Sequence, residues 1–344
     1  MTALGEAPER ELRVDRSLTV RQYLHKFGLT EVLTGQITEL AVNRPGEHWL
    51  KSDGVWEQHR NEALSLGNLS KLATAVAVFN TKHSSRDDPI ESMTLPGGER
   101  CQIVQPPVCE EGTLSLTIRK PSETRFTLHQ YAASGRLTPR LTALGAEIEP
   151  WEAKLVELAR RGDFVGFFEL AVRHKLNIVT VGGTGSGKTT FSKTLIDLYP
   201  RTARIFTIED AHELTTPNHP NSVHLFFSSR WSAKAVLASC MRMNPDHIFL
   251  AELRGDETWD YLMALKSGHS GSVTSIHAND CRGALYKIGA YIKQSTVGQT
   301  LSFEYIMQEV MTTIDVVVYF EETYLKEIYF DPVKKLKLLR GEAA

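Results

Sequence analysis

The chain has 344 residues, a length that suits about two domains. Apolar residues make up 42% and charged residues 23%, which excludes a disordered or fibrous chain. Lys+Arg 39 against Asp+Glu 41 leave a net charge of -2, which argues against a surface that grips nucleic acid throughout.

The first fifteen residues, MTALGEAPERELRVD, carry acidic residues where a signal peptide needs an apolar core. No apolar run approaches the roughly 18 residues of a membrane span. Leu18, Leu24 and Phe27 have helical spacing, and Gly28 stops the pattern. Short strands are expected over Ile37–Val42 and His48–Leu50, around the turn Arg44-Pro45-Gly46, with Val55-Trp56 following the turn Ser52-Asp53-Gly54. Leu66–Phe79 is apolar at three- and four-residue steps and reads as an amphipathic helix. Cys101–Gln105 and the alternating Leu114–Ile118 add two strands. These elements predict a small α+β N-terminal domain over residues 1–140, with a linker at 141–150 marked by Gly145 and Pro150. The four cysteines, Cys101, Cys109, Cys240 and Cys281, contain no CxxC pair, so neither a disulfide framework nor a four-cysteine zinc module is expected.

Over residues 151–344 the pattern changes. Helices over Trp151–Arg161 and Phe164–His174 lead to a short apolar strand, Asn177–Val181. Further strands are expected at Arg204–Ile208, Val223–Phe227, Ile248–Ala251, Ser272–Ile276 and Ile314–Phe320, with helical patterns between several of them. Such repetition implies an α/β domain whose sheet is covered on both faces. Val333–Arg340 alternates lysine with leucine and reads as an exposed strand or tail with a solvated basic side.

The Asn177–Val181 strand runs directly into Gly182, Gly183, Thr184, Gly185, Ser186, Gly187, Lys188 and Thr189, the phosphate-loop pattern GxxxxGK[ST]. Glycines let successive N–H groups converge on phosphate oxygens without Cβ clashes. A helix beginning near Lys188 adds its positive end. In this pattern Lys188 reaches the β- and γ-phosphates and Thr189 holds Mg²⁺, with Thr190 beside them. No NKxD motif reads guanine, which lowers the GTPase reading.

Ile248–Ala251 ends in Glu252 and is expected beside the phosphate-loop strand, where a carboxylate can approach Mg²⁺ and activate water. The alternative is that Glu252 closes a strand and pairs with Arg254. Glu209 and Asp210 are paired carboxylates after another strand, suited to Mg²⁺ or water positioning, or to capping a turn. His269 and His277 flank the Ser272–Ile276 strand at a spacing unlike zinc motifs, which favours sensing of the γ-phosphate or linking of subunits.

In order, GGTGSGKTT at 182–190, TIEDAHEL at 207–214, NPDHIFLAELRGDE at 244–257 and GHSGSVTSIHAN at 268–279 resemble the secretion ATPase superfamily. The likeness is greatest to the hexameric traffic ATPases of type IV secretion and conjugation systems, the eleventh VirB component. LPGGER at 95–100 and LTIRKP at 116–121 resemble segments of that family's N-terminal domain. The long N-terminal extension and four-cysteine insert of type II secretion ATPases are missing, while pilus-retraction motors share the same four blocks.

The resemblance implies a RecA-like domain joined to an N-terminal domain, a six-membered ring and Mg-ATP hydrolysis. Catalysis would fall to Lys188, Glu209, Glu252 and His277, and Thr189, Glu209 and Glu252 would hold Mg²⁺. Arg100 and Arg119 would approach phosphates from the N-terminal domain, because an arginine fork clamps phosphate oxygens. Arg254 and His269 would contact nucleotide or a neighbouring subunit, and Arg242 would brace the strand before Glu252. Implied partners are the same chain and inner-membrane components of a secretion system, at the cytoplasmic face, with DNA or protein as cargo. The competing class is a hexameric nucleic-acid helicase, against which the near-neutral charge and the lack of a basic-aromatic run both count.

Overall fold

The computed structural model describes residues 15–121, 127–137 and 147–342. The expected N-terminal segment through residue 14 and most of the expected linker, through residue 146, lie outside the described residues.

The N-terminal part runs α1 (Ser17–Lys26), α2 (Leu29–Thr34), β1 (Glu39–Val42), β2 (Glu47–Ser52), β3 (Val55–Arg60), α3 (Leu66–Phe79), β4 (Ile90–Thr94), β5 (Arg100–Val104) and β6 (Ser115–Arg119). Its six strands form one antiparallel sheet in the order β3-β2-β1-β6-β5-β4. Gly28, at φ +70°, ends α1 in a left-handed turn that few other residues adopt. Ser65 caps α3 by accepting from the Asn68 N–H. The apolar steps Leu69, Leu72, Ala73 and Val76 then face Leu40, Leu116 and Ile118 of the sheet in a shared core.

Beyond α4 (Leu128–Ala133), α5 (Pro150–Arg161) and α6 (Phe164–Arg173) lead into β7 (Ile178–Gly182), α7 (Lys188–Ile196), β8 (Ile205–Glu209) and β9 (Ser222–Phe226). Next come α8 (Ala233–Cys240), β10 (His247–Leu250), α9 (Glu257–Lys266), β11 (Val273–Ile276), α10 (Cys281–Gln294), α11 (Thr296–Gln299) and α12 (Phe303–Thr313). The chain closes with β12 (Val316–Glu321), β13 (Tyr324–Phe330) and α13 (Pro332–Leu339).

Parallel ladders join β10-β8-β9 and β11-β7-β12, with β13 antiparallel at the edge. The two sheets meet between β10 and β11. There Leu253 N–H donates to the Ser275 carbonyl at 2.9 Å, and the Ser272 and Ser275 hydroxyls donate to the carbonyls of Ile248 and Ala251. Successive residues point to opposite cores. Ile248 joins a cluster with α8, α9, α10 and α12, whereas Phe249 joins one with α5, α6 and α7. The α/β class with both faces covered therefore holds, and it explains the unbroken apolar runs of β7 and β10.

Two expectations are corrected. The strand ending near Glu252 does not lie directly beside the phosphate-loop strand, because β11 is inserted between β10 and β7. Val333–Arg340 is no strand or tail. Pro332 opens α13, the Asp331 side chain accepts from Lys334 N–H, and Lys335 pairs with the buried Asp315. An Asp-Pro helix start outweighs four residues of alternation.

The outer face of the N-terminal sheet, with Ala41, Trp49 and Trp56, receives Arg204 from the start of β8. This fully buried guanidinium donates to Asn43 at 2.8 Å, Asn221 at 2.7 Å and Thr117 at 3.2 Å, and its Nε donates to the Met243 carbonyl. Its charge lies over the rings of Trp56 and Phe206 at 5.0 and 4.9 Å. Burial draws its pKa down to about 10. One side chain thus links both halves of the molecule.

Candidate active site

The site is assembled at the C-terminal ends of parallel strands, where such sheets place ligands. β7 feeds the glycine loop, and α7 starts at Lys188. Gly182, Gly185 and Gly187 all have positive φ, at 153°, 73° and 89°. At Gly182 a Cβ would fall 2.4 Å from Ser186 Oγ and 2.5 Å from the Phe320 carbonyl, so no larger residue fits. Gly183, Thr184 and Gly185 are exposed at the loop's tip.

The loop is built to take an anion. A helix start leaves its first N–H groups without intrahelical partners, and the helix dipole favours negative charge there. Ser186 Oγ is buried with no hydrogen-bond partner among the described residues, and the Thr189 hydroxyl, half-buried on the first turn of α7, also has none. The free N–H groups and the Ser186 hydroxyl fit a bound polyphosphate, and the Thr189 oxygen fits its magnesium ion.

Lys188 Nζ donates to the carbonyls of Gly182 at 2.9 Å and Gly183 at 2.7 Å. Burial lowers its pKa, and the Glu252 carboxylate partly opposes that shift. His277, just past β11, places Nδ1 3.1 Å from the Gly182 carbonyl and 3.4 Å from Lys188 Nζ. Its Nε2 lies 3.4 Å from Glu252. Arg254 then joins Glu252 at 2.8 Å to Asp210 at 2.5 Å, and these two carboxylates hold its pKa above the usual arginine value. The backbone around Arg254 is fixed by the buried Glu257 carboxylate, which accepts from the N–H groups of Arg254 and Gly255. Lys188, His277, Glu252, Arg254 and Asp210 therefore lie in one row of close polar contacts across the ends of β7, β11, β10 and β8.

Other expected residues are placed elsewhere. Glu209 ends β8, three strand spacings from β7, or about 14 Å at the usual spacing. Its fully buried carboxylate accepts from the Thr207 hydroxyl and from the N–H groups of Glu213 and Leu214. Glu209 thereby shapes the loop that carries Asp210. His269 Nδ1 lies 3.1 Å from the Pro245 carbonyl, before β10 begins, so His269 and Glu252 sit at opposite ends of that strand. Burial lowers its pKa.

Arg100 and Arg119 face each other across the β5–β6 ladder. They line a cleft with Glu39, Lys51, Lys120 and Asn244. Arg119 pairs with Glu39 at 3.5 Å, and Asn244 donates to the same carboxylate at 2.6 Å. This cleft adjoins the start of β10, as His269 does, and not the glycine loop. Arg242 does not brace the strand before Glu252. It donates to Ser92 on β4.

Sequence reading missed Arg204 and the pairing of Asp210 with Arg254. A charged residue directly before the apolar strand of β8 was the available signal for the first, and the second depends on strand order.

Residues 163–318 match the family model described as type II/IV secretion system protein. The type IV secretion system protein VirB11 of Brucella melitensis is 41% identical over 326 residues, covering 90% of each chain. The type IV secretion system protein PtlH of Bordetella pertussis is 38% identical over 322 residues, covering 92% of each. The crystal structure of the VirB11 ATPase from the Brucella suis type IV secretion system, in complex with sulphate, superposes with a TM-score of 0.90 at 40% identity, covering 95% of this chain and 98% of that one.

Proposed function

This chain belongs to the VirB11 family of type IV secretion ATPases, and from that premise we propose that it hydrolyses Mg-ATP as a homohexamer to drive a secretion or conjugation system. The observation that carries the reading is the row of polar side chains, each within 3.4 Å of the next, from Lys188 past His277 to Glu252 and Arg254. A sulphate-bound relative of 40% identity agrees with an anion site.

In this reading the N–H groups of Gly183 through Thr190 cradle the ATP phosphates, and Lys188 turns from the Gly182 and Gly183 carbonyls to the β- and γ-phosphates. The Thr189 hydroxyl and Glu252 would hold Mg²⁺, which when bound neutralises charge on the phosphate oxygens. Glu252 orients the attacking water and takes its proton. His277 Nε2 then accepts or shares that proton, while its Nδ1–H stays anchored on the Gly182 carbonyl. Asp210 and Arg254 hold Glu252 in register, and Glu209 positions the loop beneath Asp210.

Arg100, Arg119 and His269 lie towards the start of β10, away from their own chain's glycine loop. We assign them to a neighbouring subunit of the ring, with the two arginines reaching that subunit's phosphates. The proposed units are residues 1–140 and 151–344, joined by 141–150. No helix of the described residues is long and apolar enough to cross a membrane, which fits peripheral attachment at the cytoplasmic face through inner-membrane components.

ATP turnover measured with light scattering tests the reading. Hydrolysis by a species near six times 38.5 kDa is expected. A monomer that turns over at full rate would remove the ring, and an inert hexamer would remove the hydrolytic role.

A further inference from the structure

At β8 and β9, two histidines that the mechanism above does not use lie beside Glu209, whose part there is only to position a loop. Thr207 and Glu209 of β8 share a face with His224 of β9, because Thr207 pairs with His224 in the parallel ladder and side chains alternate. The loop after β8 folds His212 back over His224, with ring centroids 4.6 Å apart. One carboxylate oxygen of Glu209 and one ring nitrogen of each histidine lie within 4.8 Å of one another.

We propose that Glu209, His212 and His224 form a binding site for a single Zn²⁺ ion, separate from the magnesium of the nucleotide. Two imidazoles and one carboxylate, with water in a fourth position, are an established zinc ligand set. Tetrahedral coordination with bonds of about 2.1 Å needs ligand atoms about 3.4 Å apart. The closing movement is therefore on the order of 1 Å, and it falls to His212, on an exposed loop.

The surrounding hydrogen bonds suit that role. Thr207 donates its only hydroxyl proton to Glu209 at 3.1 Å, so its oxygen accepts from His224 Nδ1–H at 2.8 Å. The lone pair of His224 is thereby placed on Nε2, whose protein neighbour is the Thr216 hydroxyl at 3.4 Å. Glu110, from the N-terminal part, lies 3.7 Å from His212 Nδ1, an ion-pair approach just beyond hydrogen-bond length. A carboxylate or hydroxyl on the far nitrogen of each ring is the usual support for a metal-binding histidine. Glu209 is fixed by the N–H groups of Glu213 and Leu214 and keeps unused lone pairs. A soft-to-borderline nitrogen donor set favours Zn²⁺ over Mg²⁺, which prefers oxygen ligands. Zn²⁺ here would brace the loop from which Asp210 reaches Arg254.

The test uses the full chain, stripped with a chelator and titrated with ZnCl₂ in excess Mg²⁺. One equivalent of Zn²⁺ is expected to bind, and Co²⁺ in its place should give the intense visible spectrum of a four-coordinate site. His212→Ala, a change at an exposed position, should weaken binding at least about tenfold and abolish the spectrum. His224→Gln, checked for folding by its melting curve, should do the same. Lys188→Ala should bind Zn²⁺ like the wild type, which separates this site from the nucleotide reading. Absence of Zn²⁺ binding by the wild type would overturn the proposal, as would undiminished binding by either histidine variant.

Discussion

His277 Nε2 lies 3.4 Å from the Glu252 carboxylate, while its Nδ1 faces the Gly182 carbonyl of the phosphate loop. A carbonyl only accepts, so the proton on Nδ1 holds the ring to the loop, the Lys188 ammonium 3.4 Å from that nitrogen is a neighbour and not its hydrogen-bond donor, and the Nε2–Glu252 contact becomes a hydrogen bond when a second proton arrives. Activation of water by Glu252 releases such a proton. His277→Ala should therefore lower kcat about 10²-fold, with little change in KM for ATP. Steady-state kinetics check this, and a pure KM effect would place His277 in binding alone.

Lys188→Ala should weaken nucleotide affinity about 10- to 100-fold, the loss expected for a charge-assisted hydrogen bond to phosphate. Titration with a fluorescent ATP analogue measures it. Lys188→Arg should not restore turnover, because a planar fork cannot occupy the place of a compact ammonium between the Gly182 and Gly183 carbonyls.

Arg204→Met should destabilise the chain by about 3 kcal/mol, since Asn43, Asn221 and Thr117 would each lose a buried donor. The urea midpoint should fall accordingly. Arg204→Lys should recover only part, because one ammonium cannot span three acceptors and stack on Trp56.

Stability should decline in mild acid. Burial lowers the pKa of both His224 and His247 to about 4, below the unfolded value near 6.5. The unfolded chain then binds more protons between those values, so this stability is complete above about pH 6.5 and is lost as pH falls towards 4. Each histidine contributes at most about 3 kcal/mol to that loss. Melting curves from pH 7.5 to 5 should fall for the wild type, and about half as steeply for His247→Gln, which keeps His224.

The parts of the site that are local in the chain were legible in the sequence. The glycine loop, the helix start at Lys188 and the apolar strand before Glu252 follow from residue types a few positions apart. Strand order is not local. That β11 enters between β7 and β10, and so puts His277 between Lys188 and Glu252, depends on crossovers that spacing does not encode. The same holds for Arg204, whose partners Asn43 and Thr117 belong to the other half of the chain. At α13 the alternating lysines misled, because the helix start at Asp331-Pro332 and the ion pair to Asp315 determine its form.

In the proposed function, Glu252 performs hydrolysis on a nucleotide held by the glycine loop. Its most direct test measures ATP binding and single-turnover hydrolysis on the same samples of wild type and Glu252→Gln. The glutamine keeps the shape but cannot take a proton, so binding should stay within a few-fold of wild type while hydrolysis falls about 10²- to 10⁴-fold. Hydrolysis by Glu252→Gln at the wild-type rate would remove Glu252 from the chemistry.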